Sequence, residues 1–446
     1  MNSLIKGLIL MTVAFAVTVP VSADTELKFS GQIRLREEVD KRNFDTSVTF
    51  QNWADLRTRV GLEAIVDGNT HAFVQLQDSR RMGGFDQFGN RTSGQLNDGK
   101  NVDVHQAYFE VDRVLVDGLG FKAGRFEMNF GNQRVFGAVG WSNVGRIWEG
   151  GIGWYDHQDF RLTGFGLKAS EVNNVYYNAD FDIGGAYATY KPYNVDLFWF
   201  YEYDADTNGY YNSLERLDRM NAGGYFKRTL EDYKVDLEVN GVYQWGRMPR
   251  GLYVPVARGP RDKVDIAAYM VAFEAGYSFE APVKGRVAAG IDYTSGDDDP
   301  NDDEVKAYDN LYFTGHKFNG FMDYFTDGAK AGKPYASSGL VDFMLRADVD
   351  PYEKWKAMLD VHFFSTNKDY TYNRESDDTE VFSNKVGIEI DATLATTIIP
   401  GLNLEGGASV FLADDNFMEA YTTNTINQVK DGDPGLWFYA MSTVNF

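Results

Sequence analysis

Cysteine is missing from all 446 positions, which excludes disulfides, cysteine zinc sites, covalently attached c-type haem and a lipid-modified N-terminal cysteine. Histidine is scarce, with five residues, so soft metal ligands are few. Long hydrophobic runs are also missing. Past residue 23 nothing approaches the ~20 consecutive apolar residues that a membrane-spanning helix requires. An excess of positive charge is absent too. The formal net charge is −22, and it becomes −23 without residues 1–23, whose one charged side chain is Lys6. Such a balance argues against wholesale binding to nucleic acid or anionic lipid, because like charge raises the cost of approach.

What is present starts with Lys6, an apolar run from Leu8 to Val17, and Val21-Ser22-Ala23 ahead of Asp24. These read as the three parts of a secretory signal. The sequence therefore predicts a signal peptide over 1–23 and one mature domain over 24–446. Aromatic residues make up 15% of the chain, yet its mean hydropathy is −0.38. That pairing is unusual for a soluble globule and natural for a barrel with a polar lumen and aromatic girdles.

Segments of about ten residues with period-two alternation are the mark of a membrane strand. Eighteen are predicted, near 25–38, 52–66, 70–79, 101–112, 120–130, 146–156, 158–168, 181–190, 193–204, 217–228, 233–245, 264–279, 285–296, 339–349, 353–366, 382–395, 401–412 and 435–446. Short connections such as Asp67-Gly68-Asn69 and Lys191-Pro192-Tyr193 alternate with longer ones. This is the rhythm of an all-β transmembrane antiparallel barrel with short periplasmic turns and long extracellular loops. The closing strand puts Leu436, Phe438, Ala440, Ser442, Val444 and Phe446 on one face and Trp437, Tyr439 and Met441 on the other. Its terminal Phe resembles the signal read by the barrel-insertion machinery. Outer-membrane lipid and lipopolysaccharide are the expected surroundings.

Two stretches resemble the alginate-export family of outer-membrane barrels. One is Gly124-Arg125-Phe126-Glu127-Met128-Asn129-Phe130-Gly131-Asn132-Gln133-Arg134, continuing through Trp141-Ser142-Asn143-Val144-Gly145-Arg146 to Trp148-Glu149-Gly150. The other is Ser295-Gly296-Asp297 followed by Tyr308-Asp309-Asn310-Leu311-Tyr312 and Gly315-His316-Lys317-Phe318-Asn319-Gly320-Phe321-Met322-Asp323. The resemblance implies a monomeric eighteen-stranded barrel whose lumen passes an anionic polysaccharide. Glu149 departs from it, since Asp is usual there.

Strand parity predicts that Arg34, Arg36, Arg57, Arg59, Arg125, Arg219, Lys227, Arg286, Arg346 and Lys385 face the lumen, with Arg134 and Arg146 at its outer mouth. Arginine keeps its charge and offers a planar fork to carboxylates, so a ladder of them would pass an anionic small molecule or polysaccharide. Acids predicted on the same face, among them Asp292, Asp342, Asp360, Glu389 and Asp391, offer the alternative of simple pairing that braces the wall. The run from Asp297 to Glu304 holds six acids in eight residues but lacks EF-hand spacing. It is expected to stay in water. No cofactor, metal site or catalytic residue is expected, because the scattered histidines have no accompanying nucleophile signature. A structural barrel or sheath for a partner, such as a redox protein or an adhesin complex, is the alternative class. The last expectation concerns residues 308–325, too aromatic to be left exposed. They are predicted to fold over or into the pore as a gate that presents His316, Lys317 and Asp323.

Overall fold

The computed structural model describes residues 24–44, 46, 49–82, 102–171, 180–205, 216–249, 263–299, 302–326, 337–374, 379–422 and 432–446. The expected signal peptide, residues 1–23, lies outside the described residues. Alternating sequence makes strands here because each side chain on the pleat has one of two destinations, lipid or lumen. The first strands are β1 (Thr25–Lys41), β2 (Gln51–Val66), β3 (Thr70–Arg81), β4 (Val102–Val111), β5 (Leu119–Phe126) and β6 (Trp148–Asp156). Next come β7 (Phe160–Ser170), β8 (Phe181–Tyr190), β9 (Val195–Asp204), β10 (Leu217–Leu230), β11 (Val235–Pro249), β12 (Lys263–Phe279) and β13 (Lys284–Thr294). A two-residue β14 (Glu304–Val305) precedes β15 (Val341–Asp350), β16 (Trp355–Arg374), β17 (Thr379–Ile399) and β18 (Leu402–Ala413). Helix α1 (Asp415–Thr422) and β19 (Gly435–Asn445) complete the chain.

Each long strand pairs antiparallel with the next, β13 pairing directly with β15. β1 returns to β19 from Gln32↔Asn445 to Lys41↔Leu436, so eighteen long strands close into a barrel with no free edge. The short β14 lies parallel to β12 at the rim. The β2–β3 turn carries Asp67 at φ 51° and Gly68 at φ 62°, the paired positive values that let a two-strand connection follow the strand twist. Closure of the seam uses the last residue. Phe446 and Gly31 exchange backbone hydrogen bonds of 2.7 and 3.0 Å, and the Phe446 ring lies over Gly31, where any Cβ would strike it. Removing Phe446 deletes both bonds and uncovers the seam. Outer-membrane insertion is expected to fall several-fold, as read by the yield of heat-modifiable barrel.

The outer face is an apolar belt in which Ile33, Leu76, Leu197, Val271, Ile291, Leu345 and Phe438 are all exposed. Tyr190, Tyr193, Tyr233, Tyr277, Tyr352 and Trp355 ring its short-turn end, as an interfacial girdle requires. The buried apolar residues form two large clusters built partly from loops and a small third one of Val264, Val305 and Ala307.

Three expectations change. β5 ends at Phe126 and β6 begins at Trp148, because the chain between them leaves the wall for the lumen. At the β16–β17 pairing an irregular register around Ser365 and Lys385 breaks the alternation expected on β17. The acidic run is only partly solvated. Asp297 is 3% exposed, its carboxylate accepting the backbone N–H groups of Asp299 and Lys306, while Lys306 and Lys368 pair with Asp302 and Asp298.

Candidate functional site

Two segments, 127–147 and 306–326, run through the interior among the described residues. The first enters because its apolar side chains find an apolar wall. Phe126, Met128, Val135, Phe136 and Trp148 pack against inward residues of β7, β8 and β9, including Phe165, Leu167, Ile183, Phe198 and Phe200. Phe136 meets Phe200 edge-on at 5.0 Å, and Phe130 stacks on Tyr187 at 4.4 Å. These strands are apolar on both faces, which is why their alternation is weak in the sequence.

The opposite flank of this segment is held by charge. Arg34 donates to the carbonyls of Gly140, Trp141 and Ser142 at 2.8, 3.0 and 3.0 Å. Arg57 donates to Gly140 and Ser142 at 3.1 and 2.9 Å, and Arg36 to Trp141 at 2.6 Å. Arg59 reaches Val144 O at 3.3 Å and the Glu127 carboxylate at 3.0 Å. Arg36 also bonds Glu38 at 2.8 Å. Among the described residues, Arg34 and Arg57 have no carboxylate within 4.0 Å. Both are only 4% exposed. They are buried cations held by carbonyl dipoles, so their charge is solvated without being cancelled.

The second segment locks onto the first. Gly137 N–H donates to Tyr312 O at 2.9 Å, Tyr312 N–H to Val135 O at 3.2 Å and Thr314 N–H to Gln133 O at 3.0 Å, forming a short parallel bridge inside the barrel. Asp309 then meets Arg219 at 2.8 Å, and its backbone meets Gln244 on β11. Further along, Phe321 N–H donates to Asp391 and Met322 N–H to Glu389, at 3.3 and 2.7 Å. Both carboxylates are fully buried on β17. The segment is thus tied to three separate parts of the wall.

The three expected gate residues come together here. His316 Nδ1 lies 3.0 Å from Asp323 Oδ1, and its ring is sandwiched between Trp141 at 4.2 Å and Phe321 at 4.9 Å. Lys317 donates to Asn132 O at 3.0 Å. Burial pushes the Lys317 ammonium below its ordinary pKa, and burial likewise lowers the Arg146 guanidinium. Gly320 sits at φ 81°, and a Cβ there would lie 2.5 Å from the Glu389 carboxylate. Gly320→Ala is therefore expected to push the 320–322 turn off β17. Limited proteolysis should show cleavage in this segment several-fold faster than in the parent, with the barrel still heat-modifiable.

The family model for alginate export matches residues 25–429. The chain belongs to the alginate-export family. No curated protein sequence matches it. Among solved structures, the alginate-export chain is similar in fold to Acinetobacter baumannii OccAB1, with a TM-score of 0.60 at 10% identity over 96% of this chain and 98% of that one. It is also similar to Pseudomonas aeruginosa OccK2 (OpdF) in complex with glucuronate, with a TM-score of 0.53 at 11% identity over 94% and 98%. A third is Pseudomonas aeruginosa OpdK with vanillate, with a TM-score of 0.55 at 10% identity over 94% and 98%. The barrel belongs in the bacterial outer membrane.

In this alginate-export barrel the two stretches that carry the family resemblance are the two that fill the lumen. Arg134 and Arg146, expected at the outer mouth, sit on the first inward segment. Arg134 forms a two-pronged pair with Asp292 of β13, its Nη2 at 2.8 Å, and Arg146 donates to the carbonyls of Gly137, Tyr312 and Phe313. Arg286 and Arg346 do face inward, in an alternating chain with Asp236, Glu274 and Asp360. Two placements are corrected. Arg125 shares its face with exposed Phe121, while Phe126 and Lys122 point inward, so Arg125 pairs with Glu149 on the outer face near the rim. Lys385 is exposed while its neighbour Val386 is fully buried in the interior cluster, because the register irregularity reverses the parity. Sequence reasoning missed the 127–147 segment as a filler of the lumen. The signal was present in its Phe and Met content beside strands that are apolar on both faces.

Proposed function

We propose that this outer-membrane channel passes anionic solutes, or an anionic polysaccharide of the alginate type one segment at a time. The observation that carries the proposal is the pair of buried guanidinium groups, Arg34 and Arg57, held by carbonyls with no carboxylate partner among the described residues. Charge of that kind projects into adjacent low-dielectric space, where it outweighs distant acids that salt screens over ~8–10 Å. Other inward arginines, such as Arg134, Arg219, Arg286 and Arg346, are paired with Asp and Glu. Two fold relatives solved with glucuronate and with vanillate hold carboxylates, which is the chemistry expected here.

The test is reversal potential across a salt gradient in a planar bilayer, followed by block with glucuronate and with uronate oligomers. An anion-favouring potential is expected despite the chain's net charge of −22. A cation-favouring potential, unaffected by uronates, would reject the proposal.

A further inference from the structure

Beneath the 127–147 segment, toward the short-turn end, the lumen keeps a cavity of about 500 Å³ against the inner faces of β4 to β10. That volume falls within the ~300–1,000 Å³ of small-molecule sites. Asn129, Phe130 and Gly131 form one side of it, and Trp154, Tyr187 and Tyr225 supply aromatic wall. The wall is preorganised. Tyr187 is stacked between Phe130 and Phe198, at 4.4 and 5.9 Å, and its hydroxyl donates to Asp196 at 2.6 Å.

Three further hydroxyls line the same cavity, on Thr163, Thr189 and Tyr225. Among the described residues none of them has a hydrogen-bond partner, and their oxygens stay open to the cavity although Thr163 and Tyr225 as whole residues are only 7% and 8% exposed. A hydroxyl that opens on a cavity is free to meet a ligand, and each is both donor and acceptor. The charged groups at the edge, in contrast, are already committed. Lys122 pairs with Glu110 at 2.7 Å, Arg161 with Asp156 at 3.4 Å, and Glu127 with Arg59 and His105 at 3.0 and 2.8 Å. No cation is left to select a carboxylate.

We infer that this cavity is a binding site for an uncharged polyhydroxylated ring of the pyranose type, held by the hydroxyls of Thr163, Thr189 and Tyr225 against the aromatic wall. It goes beyond the anion-channel reading and does not depend on it, since the recognition is of hydroxyls and the ligand carries no charge.

The experiment is calorimetric titration of the full-length barrel in detergent with cellobiose, with glucuronate in a parallel series at low and high salt. Saturable cellobiose binding is expected, insensitive to salt. Thr163→Val, Thr189→Val and Tyr225→Phe remove one hydroxyl each with little change of shape. Each should weaken binding about twofold to tenfold, the range of a single neutral hydrogen bond, and the triple variant should abolish it. Heat-modifiable migration checks that the variants are folded. The inference is overturned by the absence of saturable cellobiose binding, by a triple variant with unchanged affinity, or by a salt-sensitive preference for glucuronate at this cavity. An inverted bilayer selectivity would reject the anion channel and leave this inference standing.

Discussion

Deleting residues 308–325 while keeping β13 and β15 should raise single-channel conductance several-fold and flatten the discrimination between small and large anions. The segment lies inside the barrel, bridged to Gly137 and Val135 and tied to Arg219, Glu389 and Asp391. Its Tyr308, Phe313, Phe318, Met322 and Phe325 are each under 10% exposed, so they occupy interior volume that water would otherwise fill. Removing them also takes away one partner of Trp141, whose ring stacks on His316 and also meets Trp437 and Tyr439. The deletion leaves the carboxylates of Glu389 and Asp391 free to be hydrated, and hydration is cheap once the lumen is open. The barrel wall should survive, since its strand pairing runs from β13 to β15 without help from the segment. Bilayer recording of the folded deletion checks this. Unchanged conductance would remove 308–325 from the constriction.

Replacing Arg34 and Arg57 together by Gln should have the second large effect, on selectivity and on the seating of 140–144. Gly140 O and Ser142 O take their side-chain donors from these two arginines alone among the contacts described, whereas Trp141 O keeps Arg36. Each carbonyl left without a donor costs about 1–3 kcal/mol where it stays buried. The double variant also removes two buried cations of the wall that lack a carboxylate partner among the described residues. The reversal potential should move toward cations, and protease should reach the 140–144 segment sooner. Arg34→Lys with Arg57→Lys separates the two effects. A compact ammonium keeps the charge but not the fork, so selectivity should persist while the segment loosens. If the Gln pair left the reversal potential unmoved, these arginines would be wall braces and nothing more.

Most of the wall is legible in the sequence. Period-two alternation places Ile291 and Leu345 in lipid and Asp292 and Arg346 in the lumen, and the observed burial follows that division. The return of 308–325 to the barrel, over or into the pore, is legible too, because nine aromatic and apolar residues in one loop have no acceptable position in water. Where parity was misjudged, as at Arg125 and Lys385, the cause is local. Lys122 and Phe126 are the inward members of β5, which leaves Arg125 outside. The irregular register at Ser365 and Lys385 shifts alternation by one residue on β17, and a one-residue slip turns every side chain to the other face.

By itself the sequence determined that this chain is a closed outer-membrane barrel, because alternation and turn chemistry are local properties that chain neighbours fix. It determined which side chains reach the lumen on most strands, with Arg125 on β5 and Lys385 on β17 as the misplaced positions. Only the tertiary structure decided what those side chains do there. Arg34 lies 106 residues from Gly140, and Met322 lies 67 from Glu389. Whether an inward arginine meets a carboxylate, a carbonyl or a permeant depends on which loop returns to it across the barrel. That choice is made by packing at a distance, and no periodicity along the chain records it.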